Sequence, residues 1–139
     1  MSKNRRVEYQ KMCKKIIRET AKVAGGRTID ACYYTKINEY FITSLAFVCF
    51  IDGKHEIHFR TEVKPYAYDN IFWDVIDMSD NAKQPESLRA NGAFVSPSVQ
   101  IVEIPYCIDD DSELEQVCKK GILEINEIGS EFISQLEFQ

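Results

Sequence analysis

Histidines, thiols and clustered carboxylates carry most metal and covalent chemistry, and this chain offers few of them in a working arrangement. His55 and His58 are its two histidines, spaced as His-x-x-His. On a helix that spacing brings both rings to one face, but on a strand, where side chains alternate, it sends them to opposite sides. The residues around them alternate as a strand does, so no metal site is expected. His58 is instead expected to pair with Glu56 or Glu62 in a charged row. Five cysteines, Cys13, Cys32, Cys49, Cys107 and Cys118, form no Cys-x-x-Cys pair. Apolar neighbours around Cys49 and Cys118 suit buried, inert thiols. The run Asp109, Asp110, Asp111 has the oxygens for a hard cation but lacks the alternate spacing and distal glutamate of a calcium loop. It reads better as a charge cluster favouring the start of a helix at Ser112. The chain has no glycine-rich phosphate loop, dinucleotide fingerprint or serine nucleophile elbow. No catalytic residue and no cofactor is assigned, and the balance is against an enzyme.

The most unusual composition lies in residues 69–74 and 85–92, which hold the sole tryptophan, Trp73, together with Arg89, asparagines and several acids. Trp and Arg often dominate recognition surfaces. With His58 they define a candidate ligand cleft of His58, Trp73 and Arg89, the basis of an alternative reading as a small-molecule-binding protein or hydrolase-like enzyme. The competing reading is that Trp73 plugs the core and Arg89 pairs with Asp74 or Asp77.

These residues must be held by an architecture whose clearest signal is residues 39–64. An apolar, β-branched and aromatic run over 40–51 meets Asp52-Gly53, the dipeptide suited to a type I′ turn. Residues 54–64 then alternate strictly. A two-residue loop places Ile51 opposite Lys54. Ala46, Val48 and Phe50 then lie beside Phe59, Ile57 and His55 on an apolar face, and Leu45, Phe47 and Cys49 beside Arg60, His58 and Glu56 on a mixed face. A one-residue slip would reverse every assignment. The apolar members of the mixed face, Phe41, Leu45, Phe47 and Ile51, need a cover, from the same chain or from a partner. They are the candidate partner-binding residues.

Around this hairpin the sequence predicts an amphipathic helix over 4–24 and a first strand over 28–35. That strand should turn Ile29, Ala31 and Tyr33 to one face. Asp69 is expected to cap a short helix reaching residue 78 and burying Ile71, Phe72, Val75 and Ile76. A second short helix is expected over 85–91, and a fourth strand over 98–104, broken by Pro105 and lying at or ending at an edge. A long helix follows from Ser112, opened by the capping box Ser112 to Glu115. Gly121 and Gly129 lie on or beside its apolar stripe, which suggests close approach to the sheet.

A chain of 139 residues with 45% hydrophobic and 28% charged residues is sized for one globular domain, here residues 1–139. No apolar run approaches a membrane span, and no signal peptide is read at the N-terminus. Free thiols in odd number suit a reducing compartment, so a cytoplasmic location is expected. The net charge of −5 is unevenly spread. Residues 1–27 hold nine basic and two acidic side chains, net +7, and residues 28–139 hold eight basic and twenty acidic, net −12. A basic helix on an acidic body can steer an anionic partner. Nucleic acid is not expected, because no aromatic residue is interleaved for base stacking.

The resulting class is α+β: an antiparallel sheet of about four strands, a three-strand meander plus one, with the N-terminal and long C-terminal helices on one face. In element order and acidity the chain is similar in outline to the small acidic chaperones of type III secretion, which dimerise and hold an effector segment. In size and acidity it also resembles some toxin-neutralising immunity proteins. That likeness transfers no residue. The expected function is a non-enzymatic protein-binding module, chaperone-like or immunity-like, binding a protein partner or itself as a homodimer.

Overall fold

The computed structural model describes residues 3–85, 89 and 98–137. Five antiparallel strands form one sheet in sequence order: β1 (Arg27–Ile29), β2 (Cys32–Ile37), β3 (Tyr40–Ile51), β4 (Lys54–Pro65) and β5 (Val99–Ile108). Helix α1 (Arg6–Ala24) precedes the sheet, α2 (Tyr66–Val75) and a short 3₁₀ turn (Ser79–Lys83) follow β4, and α3 (Leu114–Glu137) ends the chain.

The central hairpin has the expected register, from Ile51 opposite Lys54 to Tyr40 opposite Pro65. Asp52 and Gly53 adopt φ values of 52° and 75°, the pair of positive angles a type I′ turn demands. One face of the sheet therefore gathers Ile42, Ala46, Val48, Ile57, Phe59 and Val63, all buried against Cys13, Ile17 and Ala21 of α1 and Cys118, Ile122 and Ile125 of α3. The two helices run side by side in the same direction. Arg5 and Asp111 meet at their N-terminal ends, and Val23 and Leu123 line one groove further along. The expected α+β class holds, with five strands where about four were expected.

The extra strand comes from the expected segment 28–35, which is two strands. Asp30 takes φ 51°, a left-handed conformation open to aspartate. The chain reverses over Asp30-Ala31, so that Ile29 pairs with Cys32. Ile29 thus shares a face with Cys32 and not with Tyr33, the reverse of the alternation expected. Pro105 does not break the last strand, which continues to Ile108. β5 is an edge strand, where a missing N–H need not remove a ladder bond.

Two helix starts also shift. α2 begins directly after Pro65, and Asp69 is a buried first-turn residue, not a cap. A single 3₁₀ turn (Asp111–Glu113) leads into α3, and its cap is Asp110, whose carboxylate accepts the Ser112 N–H at 3.3 Å. Glu113 accepts the Asp109 N–H at 3.1 Å. The capping box expected over Ser112 to Glu115 does not form: the cap lies two residues earlier, and Glu113 closes on the N–H of the residue before the cap, not of the cap itself. Most of the short helix expected over 85–91, and the lead-in to β5 over 93–97, lie outside the described residues.

Candidate functional site

The second face of the sheet carries the mixed rows, and the fold treats its two ends differently. At the Pro65 end the chain turns straight from β4 into α2, which lays Tyr66 on Phe41, with ring centroids 3.9 Å apart and nearly parallel. Phe41 is buried there, and the ammonium of Lys64 and the guanidinium of Arg89 lie over the rings. Beside them Asp69 takes both cations. Lys64 Nζ donates to Oδ1 at 2.9 Å, and Arg89 Nε donates to Oδ2 at 2.8 Å. Arg89 also donates to Asn70, and Lys64 to the Arg89 carbonyl at 3.1 Å. Burial pulls the Lys64 ammonium below its ordinary pKa, and the Asp69 carboxylate opposes that shift. Arg89 thus pairs with Asp69, not with the Asp74 or Asp77 expected, because α2 starts four residues earlier and turns Asp69 inward. Trp73, one turn on, is buried with Phe72 edge-on at 5.0 Å, and its indole Nε1 has no hydrogen-bond partner among the described residues.

The hairpin end of the same face is open. Leu45 is 39% exposed and Ile51 56% exposed. Phe47 lies half-buried between the His58 ring and the Arg60 guanidinium, each 5.2 Å from its centroid. His58 faces Glu56 at 2.9 Å and Glu103 at 3.3 Å. The His58 contact, with help from Arg60, lowers the Glu103 pKa. Glu103 comes from β5 and takes the place of the Glu62 expected beside His58. Of the candidate partner-binding residues, Leu45, Phe47 and Ile51 are thus accessible, whereas Phe41 is covered by its own chain.

His58, Trp73 and Arg89 do not converge. His58 sits six positions along β4 from Lys64, about 20 Å at 3.3 Å per residue, while Arg89 and Trp73 gather at the α2 end. His55 points to the opposite side, where its Nε2 accepts the Arg5 N–H at 2.9 Å and its ring meets Tyr9 edge-on. Among the described residues no group of three His, Cys, Asp or Glu side chains is placed to hold a metal ion. Nor are the buried thiols Cys32 and Cys118 poised as nucleophiles. Burial pushes Cys32 up to about 12, and Cys118 is raised by its hydrogen bond with Cys13 and by burial. Both are therefore thiols, not thiolates, near neutral pH. The aspartate run is structural: Asp111 accepts from the Arg5 guanidinium at 2.6 Å, which lowers its pKa and ties the starts of α1 and α3 together.

Two surfaces emerge that periodicity alone did not reveal. Turning Asp69 and Trp73 inward sends Tyr68, Ile71 and Val75 outward, with Ile71 59% and Val75 77% exposed. Ile71, Val75 and Ile76 were expected in the core. The signal that could have placed them is the basic Lys64 just before the helix, which needs a carboxylate on the inner face. On the far side of the molecule, the basic flank of α1 forms a groove with β1.

Comparison with protein-family models, curated protein sequences and solved structures finds no match to this chain. No helix among the described residues is long and apolar enough to cross a membrane.

Proposed function

We propose that the protein is a non-enzymatic binding module that works as a homodimer and holds a protein partner, in a chaperone-like or immunity-like manner. The observation that carries this reading is the outward stripe of α2. Tyr68, Ile71 and Val75 recur at spacings of three and four, so they form one continuous apolar face. A face of this kind, left exposed among the described residues, favours association. Its composition suits a permanent, self-complementary contact, since homodimer interfaces are the more apolar class. The open sheet face is different in kind. Leu45, Phe47 and Ile51 are interleaved there with Glu56, His58, Arg60 and Glu103, a mixture suited to a separate partner that exchanges.

Light scattering over a concentration series tests the self-association. The expected mass is twice that of the 16.1 kDa chain, falling to the single-chain value in Ile71→Asp. A wild-type protein that stays monomeric at every concentration would overturn the homodimer. Both side chains are exposed, so Ile71→Asp and Val75→Asp are expected to keep the far-ultraviolet circular dichroism of the parent.

A further inference from the structure

Along one flank of α1, Lys11, Lys14, Lys15 and Arg18 recur at intervals of three and four residues and leave the helix on the same side. That flank looks away from α3. It overhangs β1, one of the two edge strands of the sheet, and the two enclose a groove of about 410 Å³ lined by these four cations with Thr28 and Asp30. Lys14 reaches Asp30 at 3.1 Å. Among the described residues Lys11, Lys15 and Arg18 form no ion pair. In a chain with 22 acidic against 17 basic residues, leaving three neighbouring cations unmatched is an unusual distribution. Like charges three and four apart also weaken the helix that carries them.

The geometry points to this groove as a docking site for an acidic peptide segment, laid in extended form along β1 with its carboxylates on Lys11, Lys15 and Arg18. Helix α1 rises about 10 Å from residue 11 to residue 18, the length of about three residues of extended chain. An edge strand offers backbone N–H and C=O groups that its single neighbour does not use, and strand addition is a common mode of peptide capture. Nucleic acid fits less well. Among the described residues no aromatic side chain lines the groove for base stacking, and the net −12 of residues 28–139 repels a polyanion that extends beyond it. The site is separate from the apolar faces of α2 and the sheet and does not depend on their role.

Fluorescence anisotropy provides the test, with a labelled peptide of about ten residues, long enough to cross the groove, alternating glutamate and threonine. An oligothymidylate of equal length is the competitor probe. Saturable peptide binding is expected, weakening about tenfold between about 50 mM and about 300 mM salt as screening increases. Lys15→Gln/Arg18→Gln is expected to weaken it about tenfold at low salt, while Lys15→Arg and Ile71→Asp retain it. All these positions are exposed, and circular dichroism checks that each variant is folded. Absence of saturable peptide binding, an unchanged affinity in the double variant, or tighter binding of oligothymidylate than of the peptide would each overturn the proposal.

Discussion

Gly121 of α3 lies directly on the ring of Phe59 of β4, so closely that a Cβ at position 121 would fall 2.5 Å from Phe59 Cε2. The Phe59 ring is itself fully buried and has little room to give. Gly121→Ala therefore adds helix propensity worth about 1 kcal/mol but meets an overpacking cost of about 1–3 kcal/mol. A net loss of up to about 2 kcal/mol is expected. Gly129 faces Ile42 at a less severe 3.3 Å, so Gly129→Ala is expected to be neutral or slightly stabilising. Urea unfolding midpoints of the two variants check the contrast, and equal midpoints would show that the helix can lift off the sheet at little cost.

The parts of this fold that were legible in the sequence are those set by neighbours along the chain. Asp52-Gly53 fixes the hairpin turn locally, and alternation on either side then fixes which residues face α1 and α3. Even the two helix glycines could be read as points of close approach. What escaped depends on pairings across distance. Asp30 turns the chain without a glycine to announce it, since the left-handed conformation is open to aspartate without being signalled by it. Asp69 looks like a cap until Lys64 and Arg89 are brought to it from different elements, and that ion cluster is what rolls α2 so that Ile71 and Val75 face outward. The basic residues of α1 were visible as a charge excess, but the groove exists only because β1 forms the sheet edge beneath them.

The Asp69 cluster makes a stability prediction with an internal control. Its three side chains are 0–8% exposed, and breaking a buried ion pair from one side costs about 3–5 kcal/mol because the remaining charge is left uncompensated. Asp69→Asn keeps the shape and removes the charge, and is expected to destabilise by about that amount. Asp74→Asn, on the exposed side of the same helix, is expected to change stability by less than about 0.5 kcal/mol. Thermal melts of both variants check this. Similar melting temperatures would mean that the cluster contributes no net stability.

Alkaline pH should weaken the fold. Burial raises Cys32 from an ordinary 9.0 to about 12, and raises Tyr33 and Tyr106 above 10.0, with Glu124 adding to the effect on Tyr106. For each of these groups the unfolded chain loses its proton first. Between the unfolded and folded pKa values the native state binds more protons, and stability falls as pH rises. The depressed Lys64 acts in the opposite sense below 10.5, where the unfolded chain binds the extra proton. The hydrogen bond with Cys13 and burial raise Cys118, and burial raises Tyr9, so with five groups against one, urea midpoints are expected to decline steadily from about pH 9 upward. Cys32→Ala removes one of the two raised thiols, so its decline should begin at the same pH but be shallower than the parent's between about pH 9 and about pH 10. An unchanged slope in Cys32→Ala would show that Cys32 contributes nothing to the alkaline limb.

The open sheet face and the outer face of α2 can be told apart by one substitution on each. Phe47 is flanked by Arg60 and His58, so an aspartate at 47 would find cationic or hydrogen-bonding neighbours and need not disturb the core on the opposite face. Phe47→Asp is thus expected to stay folded and to keep the dimeric mass in light scattering, whereas Ile71→Asp falls to the mass of a single chain. A monomeric Phe47→Asp beside a dimeric Ile71→Asp would reverse the assignment: copies would then meet through Leu45, Phe47 and Ile51, and the α2 stripe would be left for another partner.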